Sequence, residues 1–163
     1  MSTPTNYDRA ERLLRETKAR RYTIATAESC TGGLIAATLA AVPGASASLE
    51  RGFVTYSNEA KIELLSVRMA LLRAHGAVSR EVALAMVEGA LMHSPADIVV
   101  SVTGIAGPDG GTEEKPVGLV HIAAARRDGP VLHEEKRFGA IGRHEIQEAT
   151  VAAAFELMER VLN

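Results

Sequence analysis

Tryptophan is absent and cysteine occurs once, at Cys30, in a chain of 163 residues. A lone cysteine cannot close an internal disulfide, so the fold must rest on burial and hydrogen bonding, as suits a reducing compartment. Positive charge is not in excess either. The 18 Lys and Arg residues stand against 20 Asp and Glu, for a net charge of −2. With the two signs interspersed, the chain lacks the basic face that a DNA or RNA backbone requires, and nucleic acid is not an expected partner. No run approaches the roughly 18 consecutive apolar residues of a membrane span, and Met1 to Arg12 is polar, without the apolar stretch of a secretory leader. The expectation is a cytoplasmic protein with no membrane partner. Repeats and low-complexity linkers are missing as well. What remains is 47% hydrophobic and 23% charged, the composition of one globular domain over residues 1–163 with a sizeable core.

Helical and extended patterns alternate along that domain. Tyr7, Ala10, Leu13 and Leu14 share one face of an N-terminal helix, and Thr23 to Glu28 reads as a short strand. Leu34, Ile35, Thr38 and Leu39 form a second amphipathic helix that Pro43 and Gly44 stop. Phe53 to Ser57 reads as a strand, followed by a helix that Asn58 caps and that runs through Leu65. Ser79 caps another, carrying Ala83, Met86, Val87, Ala90 and Leu91 and ended by Pro95. Asp97 to Thr103 is an apolar strand, and Val117 to Ala125 with Val131 to Phe138 suggests a hairpin around Asp128 and Gly129. Ile146, Thr150, Ala153, Leu157 and Val161 mark the last helix. Helices alternating with about five strands favour a three-layer α/β/α sandwich.

Ligands of open α/β sheets bind beyond the carboxyl ends of the strands, where two glycine-rich turns fall, "ESCTGG" and "TGIAGPDGG". The second, Thr103 to Gly111, can bring backbone N–H groups close to a ligand, or serve as a plain connection. It is neither a P-loop nor a dinucleotide fingerprint: no Gly-Lys-Ser/Thr ending follows, and the spacing of Gly104, Gly107 and Gly110 is wrong. In the first turn, Ser29 is open to two readings, a helix N-cap or a nucleophile beside helix N-terminal amides that could hold an oxyanion. The usual G-x-S-x-G frame is absent. Cys30 is the rival nucleophile, with inert packing as its ordinary role. His75, His93, His121, His133 and His144 show no catalytic or metal-ligand spacing, so neither a His-based triad nor a metal is expected. Lys61 falls in the first turn of a helix capped by Asn58. There the helix dipole and burial would push its amine towards the neutral form that a general base requires, with Glu59 and Glu63 opposing.

The stretches "AESCTGGLIAATLAAVPGASAS", "GFVTYSNEAKIELLSV", "GAVSREVALAM" and "SVTGIAGPDGGTEEKPVGLV" together resemble the CinA C-terminal family over most of residues 7 to 162. The resemblance implies nicotinamide mononucleotide deamidation on a three-layer α/β/α domain. Its sheet would be mixed, mostly parallel and five-stranded, with the fourth strand antiparallel. It also implies the stand-alone form of the family, a homo-oligomer such as a dimer, a small-molecule substrate and no cofactor. Carried over by position, Ser29 is the acyl-forming nucleophile, Lys61 its base and Tyr56 an assistant in positioning or proton transfer. Ser46, Thr103, Gly104 and Ala106 would line the nucleotide site, and Arg143 matches a functional arginine. Family members often read Gly-Asp-Arg there, whereas "GAIGRHE" lacks the aspartate immediately before Arg143. The backbone N–H groups of Cys30 and Thr31, just after Ser29, are oxyanion-hole candidates. Two other functions stand beside this one: a non-catalytic pyridine-nucleotide-binding module linked to competence or damage response, and an amidohydrolase of a related small amide.

Overall fold

A computed structural model describes residues 2–163. Helix α1 (Asn6–Arg20) opens with a reciprocal capping box, in which the Thr5 hydroxyl accepts from the Asp8 N–H and the Asp8 carboxylate accepts from the Thr5 N–H. There follow β1 (Ile24–Glu28), α2 (Leu34–Ala40), a single 3-10 turn (Ala45–Ala47), β2 (Leu49–Val54), α3 (Asn58–Leu65), α4 (Met69–His75) and α5 (Arg80–Met92). The chain ends with β3 (Ile98–Gly104), β4 (Leu119–Arg126), β5 (Val131–Arg137) and α6 (Arg143–Leu162).

The five strands form one sheet in the order β2-β1-β3-β4-β5. Strand β1 lies parallel to both β2 and β3, whereas β4 is antiparallel to β3 and to β5. Four strands therefore share one direction and the fourth opposes them, as the family resemblance implies. Alternation along the strands builds two cores. On one face Ile24, Val100, Val102 and Ile122 pack with α1, α2 and α6, whose Leu13, Ile35 and Phe155 are buried there. On the other, Ala25, Ala27, Val99 and Ala123 pack with α5 through Val82, Met86 and Val87, and with Leu65 at the end of α3. This is the expected three-layer α/β/α sandwich.

Four local expectations need correction. The second strand is Leu49–Val54, not Phe53 to Ser57. It is an edge strand with its central residues Glu50, Arg51 and Gly52 exposed, so its apolar signal is weak and the neighbouring Phe53-Val54-Thr55-Tyr56 run displaced the reading. Ser57, not Asn58, caps α3, its hydroxyl accepting from the Ala60 N–H. Ser29 is not the cap of α2; that position belongs to Gly33, at φ 103°, which has no side chain to offer. Helix α4 has a counterpart in none of the expected elements. The hairpin does turn at Asp128 (φ 58°), and Gly129 N–H donates to the Arg126 carbonyl at 2.9 Å.

Helix α3 is fixed to α5 by an unusually close backbone approach at Gly89. A Cβ there would stand 1.9 Å from the Leu65 carbonyl oxygen and 2.7 Å from its carbon. Alanine gains about 1 kcal/mol over glycine in helix propensity, but a clash with backbone has no soft partner to give way. Gly89→Ala is therefore expected to cost a net ~2 to 3 kcal/mol, lowering Tm by roughly 5 to 10 °C. Thermal unfolding checks this, and an unchanged Tm would show that α3 can slide freely on α5.

Candidate active site

The site lies at the carboxyl ends of β1, β2 and β3, where the sheet ladder carries three loop starts to one place. Ser29 follows β1, and its N–H donates to the Val102 carbonyl at 3.1 Å, continuing the β1–β3 pairing by one residue. Thr55 does the same after β2, donating to the Glu28 carbonyl at 2.8 Å. The strand alternation sends Glu28 to the α2 face of the sheet and Ser29 to the α3 face.

On that face Ser29 meets Lys61. The lysine side chain is only 1% exposed, and its Nζ lies 3.0 Å from the Ser29 Oγ and 3.0 Å from the Thr55 carbonyl oxygen. Burial lowers its pKa from the ordinary lysine value, opposed by the charge of a Cys30 thiolate were one to form. Because Ser57 caps α3, the Lys61 N–H is already bonded to the Ser57 carbonyl, at 3.2 Å. Removal from water is the cause of the depressed basicity. A neutral amine has two N–H bonds and one lone pair; the Thr55 carbonyl takes one N–H, and the lone pair can accept the Ser29 proton. Cys30, beside them, is buried, and that burial pushes its thiol up to about 12. It stays protonated near neutrality.

A cavity of about 280 Å³ opens over this pair, lined also by Tyr56, Thr103, Gly104, Ala106 and Arg143. Arg143, at the start of α6, donates to the Tyr56 hydroxyl at 2.6 Å and to the Gly107 carbonyl at 2.7 Å. It thus ties the segment after β2 to the glycine-rich loop. The Tyr56 hydroxyl is engaged by Arg143 and by neither Ser29 nor Lys61. Thr103 spends its hydroxyl on the Ala77 carbonyl, at 2.8 Å. Gly104 is required by packing, since a Cβ there would meet the Val120 side chain at 2.6 Å and force β3 and β4 apart. Ser46 stands apart from the others. It sits in the 3-10 turn before β2, at the amino ends of the strands, because α2 carries the chain back across the sheet before β2 begins.

Four participants in the site are not singled out for it by sequence. Thr55 supplies the carbonyl that orients Lys61, Asp109 and Asn58 add polar groups to the cavity wall, and Glu28 is buried directly behind the Ser29 turn. The available signal for Glu28 was a single acidic residue ending an otherwise uncharged, fully buried strand. The histidines lie outside the cavity. His121 and His133 stack on adjacent strands, with Nδ1 and Nε2 2.9 Å apart. Among the described residues no group of three or more His, Cys, Asp or Glu side chains is placed to hold a metal ion, and no helix is long and apolar enough to cross a membrane.

The CinA C-terminal domain profile matches residues 6–162. Nicotinamide-nucleotide amidohydrolase PncC of Escherichia coli K12 is 46% identical over 153 residues, covering 94% of this chain and 93% of that protein. A CinA-like protein of Chlorobaculum tepidum is 54% identical over 129 residues, 77% of this chain but 30% of its own length. The chain spans only 33%, 26% and 35% of the length of three further curated relatives, from Acetivibrio, Symbiobacterium and Caldicellulosiruptor. In three dimensions, the competence/damage inducible protein CihA of Agrobacterium tumefaciens superposes with a TM-score of 0.96 at 50% identity, each chain covered completely. A CinA superfamily protein of Klebsiella pneumoniae gives 0.91 at 35% identity, over 97% of this chain and 98% of that one. Similar in sequence from residue 6 to residue 162 and in fold throughout, this chain belongs to the CinA C-terminal domain family.

Proposed function

We propose that this chain hydrolyses the carboxamide of nicotinamide mononucleotide to nicotinic acid mononucleotide and ammonia through a serine acyl-enzyme. The observation that carries the reading is the buried Lys61 amine 3.0 Å from the Ser29 hydroxyl, a nucleophile and base within proton-transfer reach. The substrate follows from the Escherichia coli amidohydrolase, whose whole length is nearly matched. Ser29 Oγ attacks the amide carbon while its proton passes to Lys61. The resulting oxyanion is held by the N–H groups of Cys30 and Thr31. Among the described residues neither amide donates to another residue. Collapse breaks the C–N bond, and the Lys61 proton leaves with the amine as ammonia. Water then attacks the acyl carbon, Lys61 again taking a proton, and returns Ser29 with the free acid.

Ammonia release measured separately on nicotinamide mononucleotide, its riboside, free nicotinamide and NAD tests the substrate assignment. Turnover of the mononucleotide far above the others supports it; release from another amide only would assign a different amidohydrolase. Relatives named for competence or damage induction suggest a binding module instead. Such a module has no use for a buried lysine beside a serine, and tight nucleotide binding without ammonia release would favour it.

Arg143 bears on the phosphate. Two of its five N–H donors are spent on Tyr56 and Gly107, leaving three for an anion. The first turn of α2 is unavailable, since the Ile35 and Ala36 N–H groups already donate to Glu28. Arg143→Ala is expected to lower kcat/KM for the mononucleotide by about 10- to 100-fold, and for the phosphate-free riboside by less than about threefold. Equal losses on both substrates would assign Arg143 to the pocket framework through Tyr56 and Gly107.

A further inference from the structure

We infer that Glu28 is a positioning residue that holds the Ser29 turn and its oxyanion donors in their working geometry, an inference that rests on the serine-hydrolase reading above. Its carboxylate is fully buried and accepts four hydrogen bonds. Oε1 takes the Thr31 hydroxyl at 2.7 Å and the Ile35 N–H at 2.8 Å; Oε2 takes the Ala36 N–H at 3.0 Å and the Thr26 hydroxyl at 3.1 Å. One carboxylate thus grips the end of β1, the middle of the turn and the start of α2. Gly33 at the cap position offers no side chain, so Glu28 satisfies the helix from the sheet side.

From the opposite direction Gln147 of α6 donates to the Cys30 carbonyl at 3.1 Å. A trans peptide is planar, so fixing that carbonyl also fixes the Thr31 N–H on the other side of the same peptide. The turn is therefore anchored through the Ser29 N–H, the Cys30 carbonyl and the Thr31 hydroxyl, while among the described residues the Cys30 and Thr31 N–H groups donate to no other residue. Pinning everything except the two donors is what a preorganised oxyanion hole demands. A negative charge so close to a developing oxyanion would ordinarily oppose the reaction. Here it faces the other side of the sheet, spent on four donors and on the positive end of α2.

Glutamine cannot replace this group. Each carboxylate oxygen faces a backbone N–H, so either orientation of an amide sets its NH2 against a donor. Glu28→Gln is expected to lower kcat by about 10²- to 10³-fold with KM within about threefold of wild type. A fluorophosphonate probe reads the turn independently of substrate: the Ser29 Oγ–P bond forms as P–F breaks, fluoride departs and Lys61 takes the proton. Labelling should slow in step with kcat. A lower Tm with kcat and labelling of the folded protein within threefold of wild type would reduce Glu28 to a helix cap and overturn the inference. Should Glu28→Gln fail to fold, Thr31→Val removes one donor without touching the buried charge. It should lower kcat and labelling about tenfold, and Thr31→Ser, which keeps the hydroxyl, should restore both; equal activity in the two overturns the inference. Wild-type protein that is labelled but releases no ammonia from nicotinamide mononucleotide defeats the substrate assignment alone, and labelling then decides the role of Glu28. Wild-type protein that is neither labelled nor active on any amide defeats both.

Discussion

Ser29→Ala is expected to lower ammonia release from nicotinamide mononucleotide by about 10⁴-fold or more, in a protein that folds and binds nucleotide as before. The hydroxyl has one side-chain partner, the Lys61 amine, and caps no helix. Its loss removes the attacking atom and a single buried hydrogen bond worth on the order of 1 kcal/mol. Lys61 keeps the Thr55 carbonyl, so no buried amine is left without a partner. The adjacent thiol cannot substitute, because burial pushes Cys30 up to about 12 and leaves almost no thiolate near neutrality. Calorimetric titration with the mononucleotide should give a Kd close to the wild-type value. Ammonia release within tenfold of wild type would remove Ser29 from the chemistry altogether.

Lys61→Arg should be nearly as damaging, with kcat down by about 10³-fold or more, although the positive charge is retained. Guanidinium remains protonated at any ordinary pH and has no lone pair to accept the serine proton. Its planar fork also cannot reproduce the contact of a single nitrogen with both the Ser29 hydroxyl and the Thr55 carbonyl. A pH profile separates base from clamp. Since burial lowers the Lys61 pKa from 10.5 and the proposed base is the neutral amine, kcat/KM should rise with pH through an inflection below that value. Full activity in the arginine variant, or a profile flat from acid to alkaline pH, would make Lys61 a structural or substrate-holding residue.

The parts of this molecule visible in sequence are those governed by local burial. Strands β1, β3 and β4 read as strands because both of their faces are covered, which leaves continuous apolar runs. Strand β2, at the edge with Glu50 and Arg51 in solvent, gives no such run, and the apolar signal falls several residues beyond its start. The site is less legible because its contacts are long-range. Ser29 and Lys61 lie 32 residues apart, and residue pattern alone leaves Ser29 divided between cap and nucleophile; the family resemblance singled out the pair. Glu28 is not legible because three of its four partners sit three, seven and eight residues further on, across a turn whose path no periodicity describes. The His121–His133 contact likewise depends on the β4–β5 register, which pairs His121 with Glu135 and His133 with Ala123. Ser46 shows the converse, a residue matched by position to the nucleotide site that the chain path carries to the far end of the sheet.

The reversed direction of β4 has its own consequence for how this domain can diversify. A parallel fourth strand would oblige the chain leaving β3 to cross back to the opposite end of the sheet, usually through a helix. Because β4 runs the other way, residues 105–118 turn round beside the Ser29 cavity and the chain pairs again at once, Gly104 opposite Val120. This stretch adds no helix to either core, and its tip, Pro108 to Glu114, is exposed, so the length and side chains of that tip can change at little cost to folding. Grafting a tip of different size between Gly107 and Lys115 is thus the economical way to reshape the cavity wall. The Ser29–Lys61 pair and both cores would be inherited unchanged.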